Sequence, residues 1–163
     1  MTHIEIEKMM ADRVIEMQKE CESRIATLPA DAKTEKKALM IENGMYSLCL
    51  RAGLLYCTTN ERGHTIEVKS TRMPRYCEPY PALAERFAAA NTEEKLNMTA
   101  ALFGEIGLIS EILINYRKEL TAAKAANDVK SVFELNIKIK AVERVLDDWK
   151  ACRKKNGLYV DLI

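Results

Sequence analysis

Residues 92–156, TEEKLNMTAALFGEIGLISEILINYRKELTAAKAANDVKSVFELNIKIKAVERVLDDWKACRKKN, decide the fold. They read as two long helices joined by a tight turn at Asn127-Asp128. On the first arm, Thr92–Ala126, the residues Leu102, Ile106, Ile109, Leu113, Tyr116 and Leu120 alternate steps of four and three. That spacing holds side chains on one helical face. Leu108 and Ile112 add a second apolar row, so this arm is expected to touch more than one neighbour. On the second arm, Asp128–Asn156, the same steps run through Val132, Leu135, Ile139, Val142, Leu146 and Trp149. Each seam lasts about three heptads, short for an autonomous coiled coil and ample for a helical hairpin within a bundle. Thr92 is the expected N-cap of the first arm, with Glu93 and Glu94 in its first turn, and Asp128 that of the second. Arg153, Lys154 and Lys155 followed by Asn156, Gly157 and apolar Leu158 form a C-terminal stop.

Working outward, Thr2-x-x-Glu5 is a capping-box pattern, and Ile6, Met10, Val14, Met17, Cys21, Ile25 and Leu28 recur at four-and-three spacing behind it. This predicts a long amphipathic helix over Thr2–Leu28, stopped by Pro29. A second helix is expected from about Thr34 to Ala52, with Leu39, Ile41, Met45, Leu48 and Ala52 on its stripe. Gly44 and Gly53 weaken it and mark either close packing or an early end. Strand formers at Leu55–Thr59, turn residues at Asn60–Gly63 and alternation over Thr65–Lys69 predict a short β-hairpin near residues 54–70. The competing reading extends the second helix to about Tyr56. Pro74, Pro79 and Pro81 make 71–81 an extended linker, followed by a short helix over about Pro81–Ala90. The expected fold is therefore mainly α, a helical bundle built on a long C-terminal antiparallel hairpin with one small β-hairpin. It forms a single domain, with an N-terminal helical half 1–70, the linker, and a C-terminal part 82–163.

At 163 residues, 48% of them apolar and 30% charged, the chain has the composition of a folded domain with a real core. A net charge of +1 gives no global attraction to nucleic acid or to a membrane surface. Glu105 and Glu111 interrupt the best apolar run, so no membrane span is expected. The acidic residues Glu5, Glu7 and Asp12 stand where a secretory signal would need an uncharged core. Five cysteines, Cys21, Cys49, Cys57, Cys77 and Cys152, contain no C-x-x-C pair and read as reduced thiols of a cytoplasmic protein.

The stretch Leu102-Phe103-Gly104-Glu105-Ile106-Gly107-Leu108-Ile109-Ser110-Glu111 resembles the first acidic helix of the all-α nucleotide pyrophosphohydrolases, the MazG-like family. That family carries a Gly-Glu-aliphatic-Gly-Glu-Leu run followed by another glutamate. The resemblance implies Mg²⁺-dependent hydrolysis of a nucleoside triphosphate, with Glu105 as the first metal ligand and an acidic pair from another helix. Mg²⁺ enters the expectations only through this resemblance. Residues equidistant from the Asn127 turn face each other, so Glu143 and Asp147, four apart on one face, come within about two helical turns of Glu105. Carboxylates from two helices suit a hard cation. Position 108, however, is leucine where the family has glutamate, and Glu111, six residues beyond Glu105, diverges from it by roughly 120°. Glu105, Glu143 and Asp147 are therefore expected to disperse along the helix edges, with Glu111 facing solvent and Glu105 at a packing seam.

Two weaker constellations lie outside the hairpin core. Cys57, His64 and Cys77, with Cys49, carry zinc-type donors, but their gaps match no compact finger and His64 beside a turn reads more simply as an exposed loop residue. Arg72, Arg75, Tyr76 and Tyr80, with Arg62, His64 and Lys69, interleave cations and aromatics as a nucleic-acid track does. Glu61, Glu67 and Glu78 offset them. On the second arm, Lys138, Lys140, Arg144, Lys150, Arg153, Lys154 and Lys155 alternate with Glu134, Glu143, Asp147 and Asp148, which predicts salt-bridge decoration. There is no nucleophile constellation, phosphate-binding glycine loop or dinucleotide fingerprint. The apolar stripes exceed what one hairpin covers. The leading expectation is thus a non-enzymatic cytoplasmic helical protein, without cofactor, that binds another protein through helical faces as a small regulator or inhibitor and can self-associate. The alternatives are the Mg²⁺-dependent pyrophosphohydrolase and a nucleic-acid-binding accessory protein.

Overall fold

The computed structural model describes residues 3–52, 79–105 and 108–158. Six helices are found among them: α1 His3–Thr27, α2 Lys33–Ala52, α3 Pro81–Ala89, α4 Thr92–Glu105, α5 Leu108–Ala125 and α6 Val129–Lys155. The fold is a helical bundle, as the periodicity predicts. Residues 54–70, with the expected β-hairpin, and 71–78 of the linker lie outside the described residues, as do Ile106 and Gly107 between α4 and α5.

The α5–α6 hairpin turns where expected. Asn127 adopts a left-handed backbone, φ 53°. Its N–H bonds the Lys124 carbonyl, and the Asp128 N–H reaches back to Ala123. This paired pattern satisfies the last carbonyls of α5. The Asp128 carboxylate then caps α6, accepting from the Ser131 N–H at 3.2 Å and its hydroxyl at 2.6 Å. Tyr116 and Lys138, eleven residues either side of Asn127, meet with Nζ 5.5 Å from the ring centre, which fixes the register of the arms. At the other end of the first arm the cap lies one residue earlier than expected. Asn91, not Thr92, accepts from the Glu94 N–H, while Glu94 accepts from the Asn91 N–H, each at 2.9 Å. Asparagine outranks threonine as a cap, and the reciprocal glutamate falls three residues from it.

Helix α6 is the central element, packed against α1, α2, α4 and α5. Its predicted stripe is buried at Leu135, Val142, Leu146 and Trp149, and a second row, Ala141 and Val145, is buried beside it. Ion pairs give the directions. Arg13 meets Asp148 and Glu20 meets Arg144, so α1 runs antiparallel to α6. Lys37 meets Glu134 and Tyr46 meets Arg144, so α2 runs parallel to it. The α1 stripe is borne out in full: Ile6, Met10, Val14, Met17 and Cys21 are buried, and Ile25 and Leu28 are half-buried against the same core.

The α2 stripe needs correction. The seam runs through Leu39, Tyr46 and Cys49, with Met45 and Leu50 at its edge, while Ile41 and Leu48 lie off the core. Gly44 neither packs closely nor ends the helix, for a Cβ placed there would meet nothing within 4 Å. A smaller cluster joins Leu83 and Phe87 of α3 to Met98 and Leu102 of α4.

The buried arginine is unexpected. Arg153, read as a surface cation, has no exposed area. Its Nη2 donates to the Asn97 side-chain oxygen, to the Asn97 carbonyl at 3.2 Å and to the Leu158 carbonyl at 2.9 Å. Its guanidinium lies 5.2 Å from the Trp149 ring centre. It therefore ties α4 to the chain just past α6.

Two measurements follow from this packing. Gly44→Ala should stabilise the fold by about 0.5–1 kcal/mol, read as a higher urea midpoint at unchanged m-value, because an open helical glycine wastes backbone entropy. Arg153→Ala should cost about 2–3 kcal/mol in the same assay, since it empties the space of a buried side chain and leaves the half-buried Asn97 and Leu158 oxygens without its donors.

Candidate functional site

The sequence-derived sites fare unevenly. Glu143 is engaged by Arg117 of α5 at 2.9 Å, an interhelical ion pair across the hairpin. Asp147 is exposed, as is Glu111, which was expected to face solvent. The side chain of Glu105 lies outside the described residues, so its approach to Glu143 and Asp147 is not part of this geometry. Among the described residues no group of three or more His, Cys, Asp and Glu side chains could hold a metal. Cys57, His64, Cys77, Arg72, Arg75 and Tyr76 also lie outside the described residues. Tyr80 is exposed, 39%, at the N-terminus of α3. Of the α6 cations, Arg153 is buried, Lys138 covers Tyr116 and Arg144 points inward to Tyr46.

What the helices do build is a cleft at the α1–α2 turn end of the bundle. It holds about 530 Å³ and is lined by residues of α1, α2 and α6. The apolar surface comes from Leu28, Ala38, Leu39, Ile137 and Ala141. None of these is aromatic, so the floor suits aliphatic side chains better than a stacked ring. Along the same side of α6, one and two turns towards its N-terminus, Phe133 is 37% and Val129 80% exposed. Charged groups form the rim: Arg24 from α1, Lys140 and Arg144 from α6, and Glu35 and Glu42 from α2.

A polar network centred on buried Tyr46 reaches the cleft rim through Glu42 and Arg144. The Tyr46 hydroxyl donates to Glu42 Oε1 at 2.7 Å and accepts from Arg144 Nη1 at 3.2 Å, and Arg144 reaches Glu20 at 4.0 Å. Tyr46 itself is fully buried. Burial and its bond to Glu42 push its hydroxyl far above the usual tyrosine range. Burial, with Glu42 nearby, raises the Cys21 thiol to about 11, and burial alone raises Cys49 to about 12. These thiols are packing groups, not nucleophiles. On the hairpin side of the cleft, the Lys37 ammonium holds the Glu134 carboxyl below its ordinary value, so this surface pair is ionised at neutral pH.

No local motif announces the cleft, since its lining joins the neighbouring α1 and α2 to α6, far along the sequence. A signal was nonetheless present in the α6 pattern. Ile137 falls outside the predicted stripe, one turn beyond Phe133, on a helix whose core seam is already complete. No family model matches the chain, and no curated protein or solved structure matches it either.

The raised thiols have a measurable consequence. In native protein at pH 8, Cys21 and Cys49 should alkylate at least about a hundredfold more slowly than a thiol of ordinary pKa, with half-buried Cys152 ahead of both, as peptide mass mapping would show. Both folded values exceed the ordinary 9.0, so the unfolded chain releases these protons first. Their contribution to stability is complete below about pH 9 and falls as pH rises through about 11 and 12, readable as a declining urea midpoint.

Proposed function

We propose that this protein is a non-catalytic helical interaction module that receives a helix of another polypeptide in the cleft between α1, α2 and α6. The carrying observation is the cleft itself, with its aliphatic floor of Leu28, Ala38, Leu39, Ile137 and Ala141. Helical walls without a free strand edge suit an amphipathic helix laid in a groove, not an added strand. A charged rim around an apolar centre is the usual anatomy of such a surface.

Further support comes from how the chain uses its apolar stripes. The α1 stripe and both α6 rows are consumed in the core, so the aliphatic floor of the cleft is apolar surface beyond what those seams use. The reactive groups nearest the cleft point the same way. Tyr46 is saturated by Glu42 and Arg144, and the Cys21 thiol is held protonated by burial. Among the described residues, no helix is long and apolar enough to cross a membrane.

The reading is tested with a photoreactive phenylalanine analogue in place of Ala38, half-buried in the cleft wall. Irradiation in native extract should give a discrete polypeptide adduct, whether of this chain or of another. A competing Ala38→Arg protein should fail to suppress that adduct where wild-type protein does. Only diffuse or small-molecule adducts would count against the proposal.

A further inference from the structure

Charge around the cleft is sorted by helix, and the ion pairs of the bundle allow each charge to be placed along the axis. Glu20 of α1 pairs with Arg144 of α6. Arg24 is four residues on from Glu20, and Lys140 is four residues back from Arg144. Since α1 and α6 are antiparallel, Arg24 and Lys140 stand level with each other on opposite walls of the cleft. Arg144 is committed to Tyr46 and Glu20, and Glu42 accepts from Tyr46. Among the described residues, Arg24 and Lys140 have no hydrogen-bonded or ion-paired partner for their charges.

The third uncommitted rim charge is Glu35. Lys37 pairs with Glu134, and α2 is parallel to α6, so Glu35 is level with Val132. That is eight residues from Lys140, roughly 12 Å at 1.5 Å per residue. From the level of Val132 to Arg144 the cleft spans twelve residues of α6, roughly 18 Å or about three helical turns.

We infer that the occupant of the cleft is an amphipathic helix with acidic residues on both flanks of its apolar stripe at one level, and a basic residue about two turns away. The inference rests on the reading of the cleft as a helix-binding groove. Arg24 and Lys140 are each free to pair with an anion, and because they face each other across an apolar floor, a partner acidic on one flank alone answers only one of them. A basic residue at the far end answers Glu35. The same pattern sets the direction in which the helix lies, because the reversed helix brings its base to the two cations. Opposed charges on a rim select partners and steer their approach more than they add to affinity. Discrimination between acidic and basic partners is therefore the quantity to measure.

The probes are two stapled amphipathic helices of about four turns with the same leucine and alanine stripe. One carries glutamate on both flanks of its central turn and the other lysine. Octanoate, which offers a carboxylate and an apolar chain without a helix, is the third. In titration calorimetry on the full chain at low ionic strength, the glutamate peptide should bind at least about tenfold more tightly than either comparator, with the margin shrinking as salt rises. Arg24→Glu with Lys140→Glu should invert the order of the two peptides. Both positions are exposed, and an unchanged thermal melt confirms the fold of the variant. If neither peptide binds, the groove reading fails and this inference with it. If both bind equally, the groove stands and the acidic partner is overturned. If octanoate matches the glutamate peptide, the site is one for anionic amphiphiles and the inference is overturned as well.

Discussion

Everything else in this bundle depends on α6 burying two adjacent rows at once. Val142, Leu146 and Trp149 form one row and Ala141 and Val145 the other, and the helix packs against four neighbours. A single four-and-three stripe satisfies one partner helix, whereas two rows separated by about 100° satisfy two. The α1–α2 pair and the α4–α5 arm can therefore both dock on α6 without covering it completely. The side of α6 left over, at Ile137, Lys140, Ala141 and Arg144, lines the cleft. The cleft is thus a by-product of how two helical pairs share one axis.

Polar groups inside the core fix which arrangement is adopted. Tyr46 donates to Glu42 within α2 and accepts from Arg144 across the α2–α6 contact, and the second of these bonds favours one register of α2 on α6. A slip of one turn would leave the Glu42 bond, which lies within α2, and remove the Arg144 donor, at a cost of about 1 kcal/mol or more. Arg153 acts likewise at the opposite end, where Asn97, Leu158 and Trp149 converge on one guanidinium. Because Arg144 and Glu42 are held by this internal network, the rim charges left over are Arg24, Lys140 and Glu35. The same bonds that set the register of the bundle therefore set the charge pattern its cleft presents.

The legible parts of the sequence were those where one physical signal acts alone. The α1 seam is built from aliphatic, methionine and cysteine side chains at helical spacing, and every predicted position packs in the core. The Asn127-Asp128 turn was readable because a left-handed residue followed by an N-cap leaves few chemical choices. The α2 seam was misread because its core positions include Tyr46 and Cys49, while the aliphatic Ile41 and Leu48 competed for the pattern. Asn91 was passed over as a cap because Thr92 stood beside it with two glutamates behind. Arg153 could not be distinguished from Lys154 and Lys155 by sequence, since its burial depends on Asn97, 56 residues away. The cleft was the least legible feature. Its residues fall at four-residue steps within each helix, as any helix face does, and only the packing of three helices brings those faces together.

The end of α6 carries one more implication. Leu158 returns its N–H to the Arg153 carbonyl at 2.9 Å, while its own carbonyl accepts from the guanidinium of that same residue. Gly157, at φ 68°, makes this reversal possible. The final turn is therefore locked from both sides by one amino acid, which also grips Asn97 of α4. Fraying, which ordinarily begins at a helix terminus and spreads inward residue by residue, has no gradual route here. The last turn of α6 and the middle of α4 must open together, so their amides would exchange with solvent as one cooperative unit, at a rate set by the release of a single side chain.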